Sequence, residues 1–316
     1  MTRQVISTLS ADARPRLTPF RRATHRFLGN RAGMIGAVLA LGLGALIFSS
    51  PIWWPTDPNQ LSEAQFAAPS AQHWLGTDAN GRDVLARVCA GARVSLWVGF
   101  AGALVSLGIG VTWGAVAGYA GGRVDAVMMR CVDVLYSLPS VIFFIVVLTA
   151  LADGVKAWAS GWFGAVGESM APVALLVLGL GSISWLTMSR IVRAQVRSLR
   201  AQPFVEASRS LGAGHGRLLI RHVLRNTTGV IVAYWTLTIP TILLAESFLS
   251  YLGLGIQPPR ASLGSLLADG AGQINAVRSY AWLLLGPGGV LVTLLLALGF
   301  AGDALRDALV PQDRRS

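Results

Sequence analysis

The chain has 316 residues, of which 53% are hydrophobic and only 13% charged, with a mean hydropathy of +0.57. A soluble domain carries about a quarter charged residues, so this composition excludes an ordinary water-soluble protein and predicts insertion into a membrane. The formal net charge of +11 would suit nucleic-acid binding, but the placement of the basic residues explains it better, and no nucleic acid partner is expected.

Six stretches of 19 to 29 residues contain no charged side chain. A helix needs roughly 20 residues to cross a bilayer, and in lipid each segment must satisfy its own backbone hydrogen bonds. We therefore predict an all-α, polytopic membrane protein with six transmembrane helices. The predicted spans are 33–51, 95–118, 134–151, 171–189, 229–249 and 282–302.

The 26 basic residues are divided unequally between the two sides of this topology, with 20 on the side of the termini and six on the other. Basic loops are retained in the cytoplasm, so both termini are predicted to be cytoplasmic. The first apolar stretch is longer than the core of a signal peptide and is interpreted as a retained anchor. The predicted organisation is a cytoplasmic tail 1–32 with an interfacial turn at 26–31, an anchor 33–51, an outer loop 52–92, a five-span core 93–310 and a cytoplasmic tail 311–316.

Two local features are expected in the first half of the chain. The outer loop is predicted to contain a short helix from Arg82 to Ala92, with Asp83 and Arg87 four residues apart in the favourable order for an ion pair. Pro139 falls early in the predicted third span, where it is expected to kink the helix.

The fourth span is followed by Arg190, Arg193, Arg197 and Arg200, whose spacings of three and four place them on one helical face. We predict that the span continues beyond the membrane as a basic helix. The simplest interpretation of the stripe is contact with the anionic headgroups of membrane lipid.

A helix, a glycine turn and a second helix are predicted next. Pro203 suits the first position of a helix, and Glu206 then lies near the positive end of that helix. Gly212, Gly214 and Gly216 are expected to end it, before a helix that carries Arg217, Arg221 and Arg225.

Residues 199–226 resemble the coupling loop of binding-protein-dependent import permeases, in which Glu-Ala-Ala is followed by Gly at a fixed distance. Glu206, Ala207 and Gly212 fit this pattern, and Ser208 replaces the second Ala. His222 and Leu224 match the ending of the loop in the peptide-transport branch, where Arg225 replaces the usual Pro. The resemblance implies that this loop contacts an ATPase subunit.

Three further blocks resemble the dipeptide, oligopeptide and nickel branch of that family. They are 247–259, 302–307 and an outer segment that includes Gly76, Thr77, Asp78, Gly81, Arg82 and Asp83. The single-span amino-terminal extension and the short first outer loop resemble those of the C-type subunit in a type I ABC importer. This implies a bacterial inner-membrane permease that works with a second permease, two cytoplasmic ATPases and an extracytoplasmic substrate-binding protein.

The chain has no phosphate-binding loop, and its single lysine, Lys156, is predicted on the outer side. It is therefore interpreted as a non-catalytic subunit that binds no cofactor or metal, and ATP and magnesium are expected in the partner ATPases. Peptides are the expected cargo. Nickel or another small solute is the alternative within the same family.

Glu246 is the one acidic residue predicted within a span. Such residues are costly and often functional, so Glu246 is a candidate for the substrate pathway. The alternative is a structural carboxylate near the membrane interface. An ion-coupled secondary transporter is the less favoured function, because one peripheral carboxylate and no internal repeat give little means of coupling ions.

Overall fold

The structure is a computed structural model that describes residues 19–274 and 279–310. Within these residues the chain is almost entirely helical, and its only extended pairings are isolated bridges. The predicted tail 311–316 and most of the predicted tail 1–32 lie outside the described residues. The helices are α1 Pro19–Gly29, α2 Arg31–Trp53, α3 Val84–Ala120, α4 Gly122–Ser137, α5 Ser140–Arg200, α6 Pro203–Ser210, α7 His215–Tyr251, α8 Leu263–Ala271 and α9 Trp282–Leu309.

The described residues contain six segments that are long and apolar enough to cross a membrane, which confirms the predicted fold class and number of spans. They are α2, α3, Ile142–Gly164 and Met170–Arg200 within α5, α7 and α9. Most of these helices extend well beyond the charge-free stretches. Continuous helices therefore carry charged residues out of the membrane-spanning region, as the basic end of α5 was predicted to do.

The third span differs from the predicted 134–151. Helix α4 ends at Ser137, and Leu138 has extended backbone angles of φ −80° and ψ 136°. The cause is Pro139, because the residue before a proline is disfavoured in the helical conformation. Residues 134–137 therefore belong to α4, and α5 begins at Ser140 and bends at Gly164, whose φ is 57°.

The predicted short helix from Arg82 to Ala92 is helical from Val84 but does not end at Ala92, because these residues form the first turns of α3. Asp83 is the N-cap of α3 and accepts a hydrogen bond of 2.8 Å from the backbone N–H of Ala86. Its carboxylate is thereby committed to the cap, and Arg87 pairs with Asp78 and Asp269 instead of Asp83.

The turn predicted at 26–31 is largely helix α1, which packs against α9. A single residue, Asn30, separates α1 from α2. Its side chain caps α2 by accepting a hydrogen bond of 3.1 Å from the backbone N–H of Gly33. The anchor helix therefore begins at Arg31 and is joined directly to a short amphipathic segment.

Helix α3 lies at the centre of the bundle and packs most extensively against α5. Three glycines spaced four apart make the close approach feasible. A Cβ atom on Gly110 would lie 2.6 Å from the Cβ of Met188, and one on Gly118 would lie 2.7 Å from the carbonyl oxygen of Arg193. A Cβ on Gly114 would contact the carbonyl oxygen of Ser189. Larger residues at these positions would force the two helices apart.

The bundle has two ends. One carries α4, α6 and the Arg190–Arg200 end of α5, and we call it the arginine-rich side. The other carries the segment 54–83 and α8, and we call it the opposite side. Helices α7 and α9 join the two sides and pack against each other.

Candidate functional site

Helix α6 projects from the arginine-rich side and has one buried side chain. Val205 is fully buried, and it packs in a cluster that includes Val196, Leu218 and Val223 from α5 and α7. The other residues of α6 are exposed or half-buried. Pro203 lies at the start of the helix and Glu206 in its first turn, as predicted.

The exposed face of α6 combines acidic, small and apolar side chains. Glu206 and Ala207 are exposed, Phe204 is 40% exposed, and Leu211 in the following turn is 89% exposed. We call these four residues the α6 surface. Two apolar side chains, Phe204 and Leu211, are therefore accessible here outside the membrane-spanning segments.

The turn after α6 requires glycine at position 212, where φ is +81°. This left-handed conformation is disfavoured for residues with a Cβ atom. The backbone N–H of Gly212 donates to the carbonyl oxygen of Arg209 at 2.9 Å, and the backbone N–H of Ala213 donates to the carbonyl oxygen of Ser208 at 3.2 Å. The hydroxyl of Ser208 is turned back onto Phe204 of its own helix, with a hydrogen bond of 2.8 Å.

Two other residues predicted in this loop lie in a π-helical turn, Leu218–Leu224, at the start of α7. Leu224 packs inward against the cluster around Val205, whereas His222 is half-buried. Leu224 therefore helps to hold α6 in place and is not part of the α6 surface. π-Helical turns are rare and often occur at functional sites.

Three arginines of the stripe, Arg190, Arg193 and Arg200, bind protein groups, which corrects the lipid interpretation for them, whereas Arg197 is exposed. Arg193 donates two hydrogen bonds of 2.5 and 2.6 Å to Asp125 of α4. Arg190 donates to Asp133 at 2.8 Å. These charges are satisfied within the chain because α4 lies along the same face of α5. The hydrogen bonds from Arg193 hold the pKa of the Asp125 carboxyl below its ordinary value.

The end of α3 is tied to the same frame. Arg200 donates to the carbonyl oxygens of Tyr119 and Ala120 at 2.5 and 3.1 Å, which satisfies two terminal carbonyls of α3. The hydroxyl of Tyr119 lies 3.1 Å from Nδ1 of His215, the first residue of α7. The ends of three spanning helices therefore meet beside α6.

On the opposite side, the outer segment predicted as a family signature is a compact structural unit centred on Asp78. This carboxylate accepts hydrogen bonds from the side chains of Arg82 at 2.7 Å and Arg87 at 2.6 Å, and from the backbone N–H groups of Asn80 and Arg82. Burial raises the pKa of the carboxyl, but the backbone N–H groups and the charge of Arg87 outweigh it, and the pKa is lower than usual.

The remaining signature residues complete this unit. Asp83 also accepts a hydrogen bond of 3.1 Å from Trp54 and lies 2.8 Å from the His73 imidazole. Thr77 is fully buried and its hydroxyl donates to the carbonyl oxygen of Ala64. Gly76 and Gly81 both have a φ of +71°, so these two turns favour glycine. Both signature carboxylates, Asp78 and Asp83, are therefore engaged by groups of the same segment and of α3.

Glu246 is more completely buried within the protein than predicted. Its residue exposure is 0%, and the carboxylate accepts hydrogen bonds from Ser250 at 2.8 Å and Ser247 at 3.3 Å. Two further serine hydroxyls, those of Ser95 on α3 and Ser262 at the cap of α8, lie beside it. The geometry matches the alternative of a structural carboxylate, because Glu246 joins three elements and lines none of the described cavities.

A cleft of about 490 Å³ between α4, α5 and α7 contains polar residues that sequence reasoning missed. The signal was present, because Ser184 and Thr187, and likewise Tyr234, Thr238 and Thr241, recur at helical spacing inside predicted spans. We call it the hydroxyl cleft. Its lining residues are Leu135, Tyr136, Leu138, Phe143, Ile183, Ser184, Leu186, Thr187, Tyr234, Leu237, Thr238 and Thr241.

Comparisons with known proteins agree with the geometry. Residues 110–315 match the family model described as "Binding-protein-dependent transport system inner membrane component". The chain is 40% identical over 299 residues to the oligopeptide transport system permease protein OppC of Escherichia coli K12, covering 92% of this chain and 91% of the relative. It is 38% identical over 299 residues to OppC of Haemophilus influenzae, covering 92% and 88%.

Among solved structures, the chain is similar to an inward-facing structure of the MetNI methionine ABC transporter. The TM-score is 0.50 at 20% sequence identity, and the match covers 72% of this chain and 96% of the other. At this identity the likeness shows the fold alone.

Proposed function

Because this chain belongs to the family of binding-protein-dependent transport system inner membrane components, we propose that it is one permease subunit of an ATP-driven peptide importer. In this proposal it forms the translocation pathway with a second permease. Two cytoplasmic ATPases bind ATP and magnesium, and an extracytoplasmic binding protein delivers the cargo. Peptides are proposed as cargo because the relatives are named for oligopeptide transport.

The observation that carries the proposal is the α6 surface. Helix α6 is short, is anchored by the buried Val205, and presents Glu206 and the 89% exposed Leu211 away from the bundle. We propose that it docks on an ATPase subunit, with Leu211 in an apolar recess and Glu206 facing a basic group. A small helix that is rigidly seated on larger ones is suited to transmit a movement of its partner.

The arginine frame supports this role. The pairs Arg193–Asp125 and Arg190–Asp133 fasten α4 to the same end of α5 from which α6 follows. Arg200 then fastens the end of α3. Charge-assisted hydrogen bonds of this kind are about twice as strong as neutral ones. We propose that nucleotide-driven motion of α6 is carried through this frame into α3, α5 and α7.

The proposal also assigns an orientation. The arginine-rich side is proposed to be cytoplasmic, in accordance with the 20-to-6 division of basic residues and with the docking role of α6. The opposite side then faces the binding protein with the segment around Asp78, a stiff unit suited to receiving a partner.

The test uses Glu206→Lys and Gly212→Val in the assembled transporter. Both positions are exposed, and a surface change rarely costs more than about 0.5 kcal/mol of stability. Gly212→Val additionally strains a turn whose φ is +81°. Both variants should reach the membrane at wild-type abundance, lose ATP-dependent uptake and retain less ATPase on copurification.

Asp307→Lys is the matched control, since it reverses an exposed acidic residue at the arginine-rich end of α9. It should transport normally. Wild-type uptake by Glu206→Lys at equal abundance would contradict the coupling role of α6.

A further inference from the structure

We propose that the hydroxyl cleft is the surface of this subunit over which the main chain of a peptide passes during transport. The inference rests on the proposed peptide import and names the residues that contact the cargo. Its evidence is a concavity between membrane-spanning segments in which six hydroxyl groups are gathered.

The contrast between surfaces is sharp. Exposed side chains on α2 include Val38 and Leu41, and those on α3 include Leu104 and Ile109, as expected for contact with lipid. The hydroxyl cleft instead presents six hydroxyl groups, from Tyr136, Ser184, Thr187, Tyr234, Thr238 and Thr241. Polar groups at membrane depth are costly against lipid and are tolerated where they face protein or a water-filled cavity. This face is therefore expected to lie against the pathway.

The hydrogen-bonding capacity of the cleft matches a peptide backbone. The hydroxyl of Thr238 donates to the carbonyl oxygen of Tyr234 at 2.8 Å, and the hydroxyl of Thr241 donates to the carbonyl oxygen of Leu237 at 3.1 Å. Their protons are used, so their oxygen lone pairs remain to accept from peptide N–H groups. Within residues 19–274 and 279–310, Ser184 and Thr187 have no hydrogen-bond partner for their hydroxyls, which are free to donate to peptide carbonyls.

The charge of the cleft is equally informative. In the described part of the chain, its lining contains no Asp, Glu, Lys or Arg. A charged pair lies beside the cleft: the guanidinium of Arg190 is 4.3 Å from the ring centroid of Tyr136, and Asp133 neutralises it at 2.8 Å. Such a surface neither attracts nor repels a charged side chain strongly. It favours the feature that all peptides share, their main chain.

The test is hydroxyl removal at constant shape. Thr187→Val and Thr238→Val each delete a hydroxyl of the cleft. The control, Thr228→Val, deletes an exposed hydroxyl elsewhere on α7, which donates to the carbonyl oxygen of Arg225. Losing one neutral hydrogen bond of about 0.5–1.5 kcal/mol corresponds to a loss of roughly 2- to 12-fold in rate. Both cleft variants should lower ATP-dependent uptake by such a factor, equally for acidic, neutral and basic tripeptides, and Thr228→Val should not.

Unchanged uptake in both cleft variants, or a loss confined to one charge class, would overturn the inference while leaving the proposed function intact. Absence of ATP-dependent peptide uptake by the wild-type complex would instead overturn the proposed function itself. The two failures are therefore distinguishable.

A second measurement does not depend on the transport rate. In the complete complex carrying Cys89→Ala and Cys131→Ala, Thr187→Cys should react with a water-soluble thiol reagent. Excess tripeptide together with ATP should change the rate of this thiol modification. The control Leu104→Cys, on an apolar face of α3, should not react. An unreactive Thr187→Cys would contradict the assignment of the cleft to the pathway.

Discussion

The close packing of α3 on α5 leads to a prediction with an internal control. A Cβ atom on Gly114 would contact the carbonyl oxygen of Ser189 and lie 3.0 Å from both the Arg193 nitrogen and the Val192 Cβ. A Cβ on Gly108 of the same helix would meet nothing within 4 Å. Gly114→Ala and Gly108→Ala therefore change helix propensity equally and differ only in packing.

The two contributions have opposite signs. Alanine is favoured over glycine in a helix by up to about 1 kcal/mol, which should stabilise Gly108→Ala. Overpacking costs about 1–3 kcal/mol, which should outweigh that gain in Gly114→Ala. At about 2 °C per kcal/mol for a large chain, the melting temperature of Gly114→Ala should lie about 2–6 °C below that of Gly108→Ala.

The assay is thermal unfolding of the purified chain in detergent, followed by tryptophan fluorescence. Equal melting temperatures for the two variants, or a higher value for Gly114→Ala, would refute the claim that α3 and α5 pack through bare backbone at this position.

Two further predictions concern charged groups. Asp125→Asn should cost about 1–3 kcal/mol by removing the carboxylate that Arg193 binds. The pKa of Asp125 is depressed in the folded chain. The stability difference between the wild-type chain and Asp125→Asn should therefore be complete above about pH 4, the ordinary Asp value, and should shrink as the pH falls through the lowered pKa. If the melting temperatures of the wild-type chain and Asp125→Asn differed by the same amount at every pH, the ion pair with Arg193 would be excluded as the cause. Glu246→Ala removes the shared acceptor of Ser247 and Ser250 from a fully buried site and should reduce protein abundance, and with it the uptake of cationic and neutral peptides alike. A loss restricted to amine-bearing cargo would instead assign the carboxylate to the pathway.

The spans could be predicted from the sequence because lipid penalises charge strongly, so uncharged stretches mark the membrane-spanning helices. The start of the third span could not be predicted this way. Residues 134–137 are apolar enough for lipid, but Pro139 constrains Leu138 to an extended conformation and separates them from α5. The break between α4 and α5 is therefore set by the backbone sterics of proline, which hydropathy does not detect.

Side-chain partners were harder to predict than spans. The arginine stripe was interpreted as a lipid contact because the sequence does not reveal that α4 folds back beside α5 and brings Asp125 to Arg193. The burial of Glu246 depends likewise on Ser95 and Ser262, which are distant along the chain. By contrast, the start of α6 at Pro203 follows from local chemistry and was predicted correctly.

The central claim is that this chain carries peptides as a subunit of an ATP-driven importer. Its most direct test is uptake of a labelled tripeptide into proteoliposomes that contain this chain, its partner permease and the two ATPases, with the binding protein supplied outside and ATP inside. We predict uptake that requires ATP and every component and that survives collapse of the proton gradient by an ionophore. Peptide uptake by this chain without the ATPases, driven by an ion gradient, would contradict the account.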